Sequence, residues 1–159
     1  MNKIEINITV NRNIKSAVSK NWLENVTRQV LEAECVEQPV EMGLVITDGK
    51  TVQKLNRIYR SRDEATDVLS FQVASNADQK SDEPFVNAPD GVRHLGEVII
   101  SYPQALKQAQ QQGQSVVREL ALLIVHGMLH LLNYDHELPA EARGMRRRES
   151  EILRLLKSK

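Results

Sequence analysis

Apolar and polar residues alternate at the start of the chain. Ile4, Ile6, Ile8 and Val10 fall on one side, and Glu5, Asn7 and Thr9 on the other. A period of two predicts a strand with one buried face. From Ile14 to about Cys35 the apolar positions (Ala17, Val18, Trp22, Val26, Val30, Leu31) recur at intervals of three and four, the spacing of an amphipathic helix. A second strand is expected from Val40 to Thr47, after Pro39. Thr47-Asp48-Gly49 supplies a turn and a cap for a short helix through about Tyr59.

Val68 to Val73 reads as a third strand and Leu95 to Ser101 as a fourth, with Gly96 near its start. Between them, Ala74 to Arg93 has two prolines, many small polar residues and little periodicity, the mark of a long loop. Pro103 suits the first turn of a polar helix that Gly113 ends, Ser115 caps the next helix to about Leu132, and Pro139 opens a last helix to the C-terminus. The expected architecture is one α+β domain over residues 1–159, a mixed four-stranded sheet with about five helices.

Composition narrows the function classes. Formal net charge is zero, so no global field draws the protein to nucleic acid or membrane. The longest purely apolar run, Leu120 to Val125, is too short to span a bilayer. The start of the chain has no apolar signal core, and a single cysteine excludes an internal disulfide framework. Both point to the cytoplasm. Cys35 is expected as a half-buried helix residue. Charge is nevertheless uneven: from Ala142 to Lys159 seven basic residues face two acids, a solvated helix face or a source of phosphate contacts.

Candidate chemistry sits in His126-Gly-Met-Leu-His130-Leu-Leu-Asn-Tyr-Asp-His136. His126 and His130 are one helical turn apart, so both imidazoles leave the same face and can reach one ion at about 2.0–2.1 Å. Asn133 stands where a left-handed residue would end the helix and turn His136 back toward the pair. Three histidines leave one position of a tetrahedral zinc open, as catalytic sites require. His94 stands apart, at the end of the long loop, with a surface or supporting place.

The same ligand spacing occurs in zinc proteases, which carry a glutamate directly after the first histidine as general base. Here that position is Gly127, which cannot take a proton. Upstream, Arg57, Arg60 and Arg62 precede Ala-Thr-Asp67-Val-Leu-Ser70-Phe71, and a guanidinium fork matches phosphate oxygens. Candidate bases are Glu119, Asp135 and Asp67; none is assigned by spacing alone.

Together, Asn56 to Phe71, Leu95-Gly-Glu-Val-Ile-Ile-Ser101, and His126 to His136 with Glu137, Met145 and Glu149 resemble the YbeY family of bacterial endoribonucleases. The resemblance covers roughly the C-terminal two-thirds; the N-terminal third agrees in strand–helix order. It implies a zinc-dependent, single-strand-specific endoribonuclease that matures the 3′ end of 16S ribosomal RNA and serves ribosome quality control. Its partners would be RNA, the ribosomal particle and ribosome-associated proteins, with no membrane. It further implies one zinc ion on His126, His130 and His136, Arg60 as the catalytic-site arginine, and the metal helix packed centrally. Two departures stand out: the family usually has glycine at the place of Asn133 and proline at that of Gln72. The loop from Ala74 to Arg93 is also longer than usual. The alternatives are a zinc protease with an unusual base and a non-catalytic ribosome-assembly factor with a structural metal.

Overall fold

In a computed structural model of the chain, residues 3–60, 67–72, 91–134 and 138–157 are described, the side chains of Tyr59, Arg60 and Lys157 excepted. Four strands form one sheet in the order β1 (Ile4–Val10), β2 (Val40–Thr47), β4 (Arg93–Ser101), β3 (Val68–Gln72). β1, β2 and β4 run parallel, and β3 joins antiparallel to β4, pairing Val68 with Ile100 and Gln72 with Gly96. Among the described residues the helices are α1 (Lys20–Ala33), α2 (Gly49–Arg60), α3 (Tyr102–Gln111), α4 (Val116–Leu131) and α5 (Pro139–Lys157). The mixed four-stranded sheet and the five helices are those the patterning predicts.

The main core lies on one side of the sheet, where α1, α3, α4 and α5 bury Leu23, Leu31, Ala105, Leu120, Ile124, Met128, Leu129, Met145 and Ile152 against Met42, Leu44, Ile46, Val98 and Ile100. α4 is central to it. Seven of its apolar residues are buried, Leu120, Leu123, Ile124, Val125, Met128, Leu129 and Leu131, which is why its sequence is apolar on nearly every side. α2 covers the other side of the sheet with a smaller cluster of Val52, Leu69 and Ile99, and Val45, Leu55 and Phe71 pack around it.

Boundaries differ where local polar groups outbid apolar periodicity. α1 starts at Lys20 rather than Ile14, because Ser19 caps it by accepting from the Trp22 amide. The preceding residues are held in turns by Asn11 and Ser16 side chains, while Ile14 and Val18 still pack on the core. Cys35 is not a half-buried helix residue: it follows the helix at φ 52°, exposed. β4 begins at Arg93, so His94 belongs to a strand rather than a loop end, and its Nδ1 lies 2.7 Å from Glu41 Oε1. Gly96 at φ +125° lets β3 close on β4, since a β-carbon there would stand 1.9 Å from the Phe71 carbonyl oxygen. Most of the predicted loop, residues 74–90, lies outside the described residues, as does residue 73 at the end of the predicted third strand.

Candidate metal centre

α4 delivers His126 and His130 to one face one turn apart, with ring centroids 4.8 Å apart in an edge-to-face arrangement. His126 is partly exposed near the end of an otherwise buried helix, as a ligand reachable by substrate must be. Its Nδ1 lies 2.5 Å from Oε1 of Glu149 on α5. A carboxylate at Nδ1 favours the tautomer that carries its proton on that nitrogen, which would leave Nε2 as the donor atom for a metal. Donor chemistry, spacing and this orienting carboxylate all fit a zinc ion. Among the described residues no group of three His, Cys, Asp or Glu side chains is gathered. The third histidine of the predicted triad, His136, lies outside them, as do Asp135 and Glu137.

The chain leaves α4 along a path held from two directions. Asn133 adopts φ 74°, the left-handed turn its position predicts. Gln72 at the end of β3 donates through Nε2 to Asn133 Oδ1 at 2.6 Å and to the Leu131 carbonyl at 3.2 Å. The two departures from the usual family pattern are therefore bonded to each other. Tyr134, next in sequence, is partly buried against the Glu34–Arg148 ion pair. Burial, then a hydrogen bond with Glu34, pushes its hydroxyl above its ordinary range.

Gly127, between the two histidines, faces the sheet. A β-carbon there would stand 2.7 Å from Val98 Cγ1, 3.1 Å from Val68 Cγ2 and 3.3 Å from Ser70 Oγ. Ser70 uses that close approach to donate to the Gly127 carbonyl at 2.8 Å. Val68 and Ser70 of β3, with Val98 of β4, thus form the surface against which the histidine helix seats at Gly127.

Arg60 is the last residue of α2, and its side chain, like Arg62, lies outside the described residues. Arg57 is exposed on α2. Asp67 and Glu119 belong to the opposite end of α4 from the histidines. Asp67 accepts from Gln108 Nε2 at 3.1 Å, and Glu119, buried in the first turn, accepts from Gln114 Nε2 at 2.6 Å. Seven residues of helix put Glu119 about 10 Å along the axis from His126, too far for proton transfer at the metal. Glu149 is the residue whose role the sequence did not single out; its signal was only a match in the resemblance, since a contact 23 residues away leaves no local periodicity.

The fold is thus an α+β sheet that seats a helix bearing two histidines one turn apart, with a carboxylate behind the first imidazole. A family model described as endoribonuclease YbeY matches residues 5–157, and the chain belongs to that family. The match extends through the N-terminal third, beyond the two-thirds in which the motifs alone are recognisable. Similar curated proteins include an endoribonuclease YbeY of Roseiflexus sp. (strain RS-1), 48% identical over 140 residues, covering 87% of this chain and 84% of the relative. Another, from Dehalococcoides mccartyi (strain CBDB1), is 46% identical over 142 residues, covering 87% and 86%. A solution structure of a Thermotoga maritima protein superposes with a TM-score of 0.57 over 96% of this chain and 92% of its own, at 20% identity, and so supports the fold. Among the described residues no helix is long and apolar enough to cross a membrane.

Proposed function

We propose that this protein is a zinc-dependent endoribonuclease that cuts single-stranded ribosomal RNA during maturation and quality control of the ribosome in the cytoplasm. His126, His130 and His136 would hold one zinc ion, and Arg60 would act as the catalytic-site arginine. The observation that carries the reading is the endoribonuclease family match over residues 5–157. The Glu149–His126 contact supports the metal. When bound, zinc would supply Lewis acidity at a phosphodiester and ease deprotonation of the attacking group.

The protein's own groups have separable tasks. Glu149, in contact with Nδ1, would orient the His126 ring so that Nε2 faces the metal. Gln72 and Asn133 set the direction in which the chain leaves α4 toward His136. Arg60 would bind the scissile phosphate and offset charge as it develops, a contact worth about 2–4 kcal/mol in comparable sites. Asp67 and Glu119 are engaged at the far end of α4 and are not assigned as the base.

The test is incubation of purified protein with ribosomal RNA, comparing wild type, His130→Ala and Arg60→Glu. Cleavage by wild type and loss in both folded variants supports the reading. Equal cleavage by all three marks a contaminant. A protease would instead cut unfolded protein and ignore Arg60→Glu. The packing at Gly127 leaves no room for the usual protease glutamate, which would drive into Val98 and Val68, so a protease would have to draw its base from elsewhere. An assembly factor with a structural metal would retain full cellular function in Arg60→Glu and lose only thermal stability in the histidine variants.

A further inference from the structure

The basic C-terminal segment forms α5, and its charges divide into two groups. Arg148 turns inward: it pairs with Glu34 through Nε, donates through Nη2 to the Ala33 carbonyl at 2.8 Å, and lies 3.7 Å from Glu151. Arg143, Arg146 and Arg147 point outward, exposed, and none has a carboxylate partner among the described residues. Glu149, the acid nearest to Arg146 on the helix, is instead committed to His126. Three solvated guanidinium groups thus remain within about 6 Å of helix axis.

Their position matters more than their number. α5 packs on α4, and the Glu149–His126 contact fixes which part of α5 adjoins the histidines. Arg146 is one turn before Glu149, where side chains three apart have β-carbons about 5–6 Å from each other. Arg143 is one turn further back, with Arg147 beside it. The group therefore begins next to the candidate metal centre and leads away from it, in a chain whose total formal charge is zero.

We infer that Arg143, Arg146 and Arg147 form a track for the phosphate backbone of single-stranded RNA, holding the strand on one side of the scissile bond. This rests on the ribonuclease reading of the metal centre and adds a substrate-binding surface to it. Arginine suits the role because its planar fork pairs with phosphate oxygens and stays charged at any working pH. No base-stacking surface is needed for a contact of this kind, in keeping with the chain's 4% aromatic content.

The decisive experiment measures binding of zinc-loaded protein to a labelled single-stranded oligouridylate of about twelve nucleotides by anisotropy, over a series of salt concentrations. Cleavage is followed on gels from the same samples. Each phosphate contact to a single strand adds about 0.7 to the slope of log affinity against log salt, so Arg143→Gln/Arg146→Gln/Arg147→Gln should lower the slope by about 2. KM should rise about tenfold near physiological salt with kcat unchanged. A control, Arg12→Gln/Lys15→Gln/Lys20→Gln, removes the same charge from exposed positions before and at the start of α1.

Loss of slope in the α5 variant alone supports the track. Equal loss in both variants means that net charge was responsible, and no loss in either means that RNA does not touch α5; each overturns the inference. Failure of wild type to cut RNA overturns the ribonuclease reading instead, and is read on the gels independently of the slopes.

Discussion

The α-carbon of Gly127 lies so close to β4 that a β-carbon placed on it would stand 2.7 Å from Cγ1 of Val98. This places the histidine helix deep enough against the sheet for Ser70 to bond its backbone. Gly127→Ala should therefore lower stability by about 1–3 kcal/mol through overpacking, despite alanine's better helix propensity. Gly127→Glu should be far worse and should confer no peptidase activity. Thermal unfolding and a casein assay check both; an unchanged Tm in Gly127→Ala would mean that α4 sits further from the sheet.

Glu149→Gln keeps the shape of the side chain but removes its charge, and Glu149→Ala removes the contact. Zinc affinity, measured by chelator competition, should fall about 10–100-fold in the alanine variant, with a smaller loss in the glutamine variant. Secondary structure should be retained in both. Unaltered zinc affinity in Glu149→Ala would dissociate the carboxylate from the metal.

Gln72 and Asn133 are both exposed, so their bond should be modest, about 0.5–1.5 kcal/mol. A double-mutant cycle of Gln72→Ala and Asn133→Gly should show coupling in that range. Asn133→Gly should fold well because φ 74° suits glycine, whereas Asn133→Ala should cost about 1 kcal/mol more. Additive effects across the cycle would show that the two side chains act separately.

Burial raises the Glu119 carboxyl above its ordinary range; the hydrogen bond from Gln114 opposes this, and the nearby Asp67 charge adds to it. A raised folded-state value favours the protonated form on folding. The stability it brings is complete below the ordinary glutamate range and is lost as pH rises through the raised value. Glu119→Gln, which is neutral at every pH and can still accept from Gln114, should be a few degrees more stable than wild type at about pH 8, and equal to it by about pH 4. A constant difference across that range would contradict the assignment.

The features legible in the sequence were those that one element dictates alone. The pitch of α4 placed His126 and His130 on one face, Ser115 marked its cap, and Asn133 marked its left-handed end. Ile14 misled because its spacing continues the α1 pattern, and only the competing turns of Asn11 and Ser16 show where the helix cannot begin. Gly127 was legible as the absence of a base but not as a packing requirement, since the atoms it would strike belong to β3 and β4. Glu149 was hidden for the same reason: its partner is on another helix.

Alternate residues of β3 meet the helical layer at successive heights. Asp67, just before them, holds Gln108; Ser70 holds Gly127; and Gln72 holds the last carbonyl of α4. Along a strand each residue advances about 3.3 Å and reverses its face, whereas a helix residue advances about 1.5 Å and turns only part of the way round. No gain or loss of one residue in β3 can be matched by a change of length in α4. A single-residue insertion inside β3 would thus take the helix out of step with its seat.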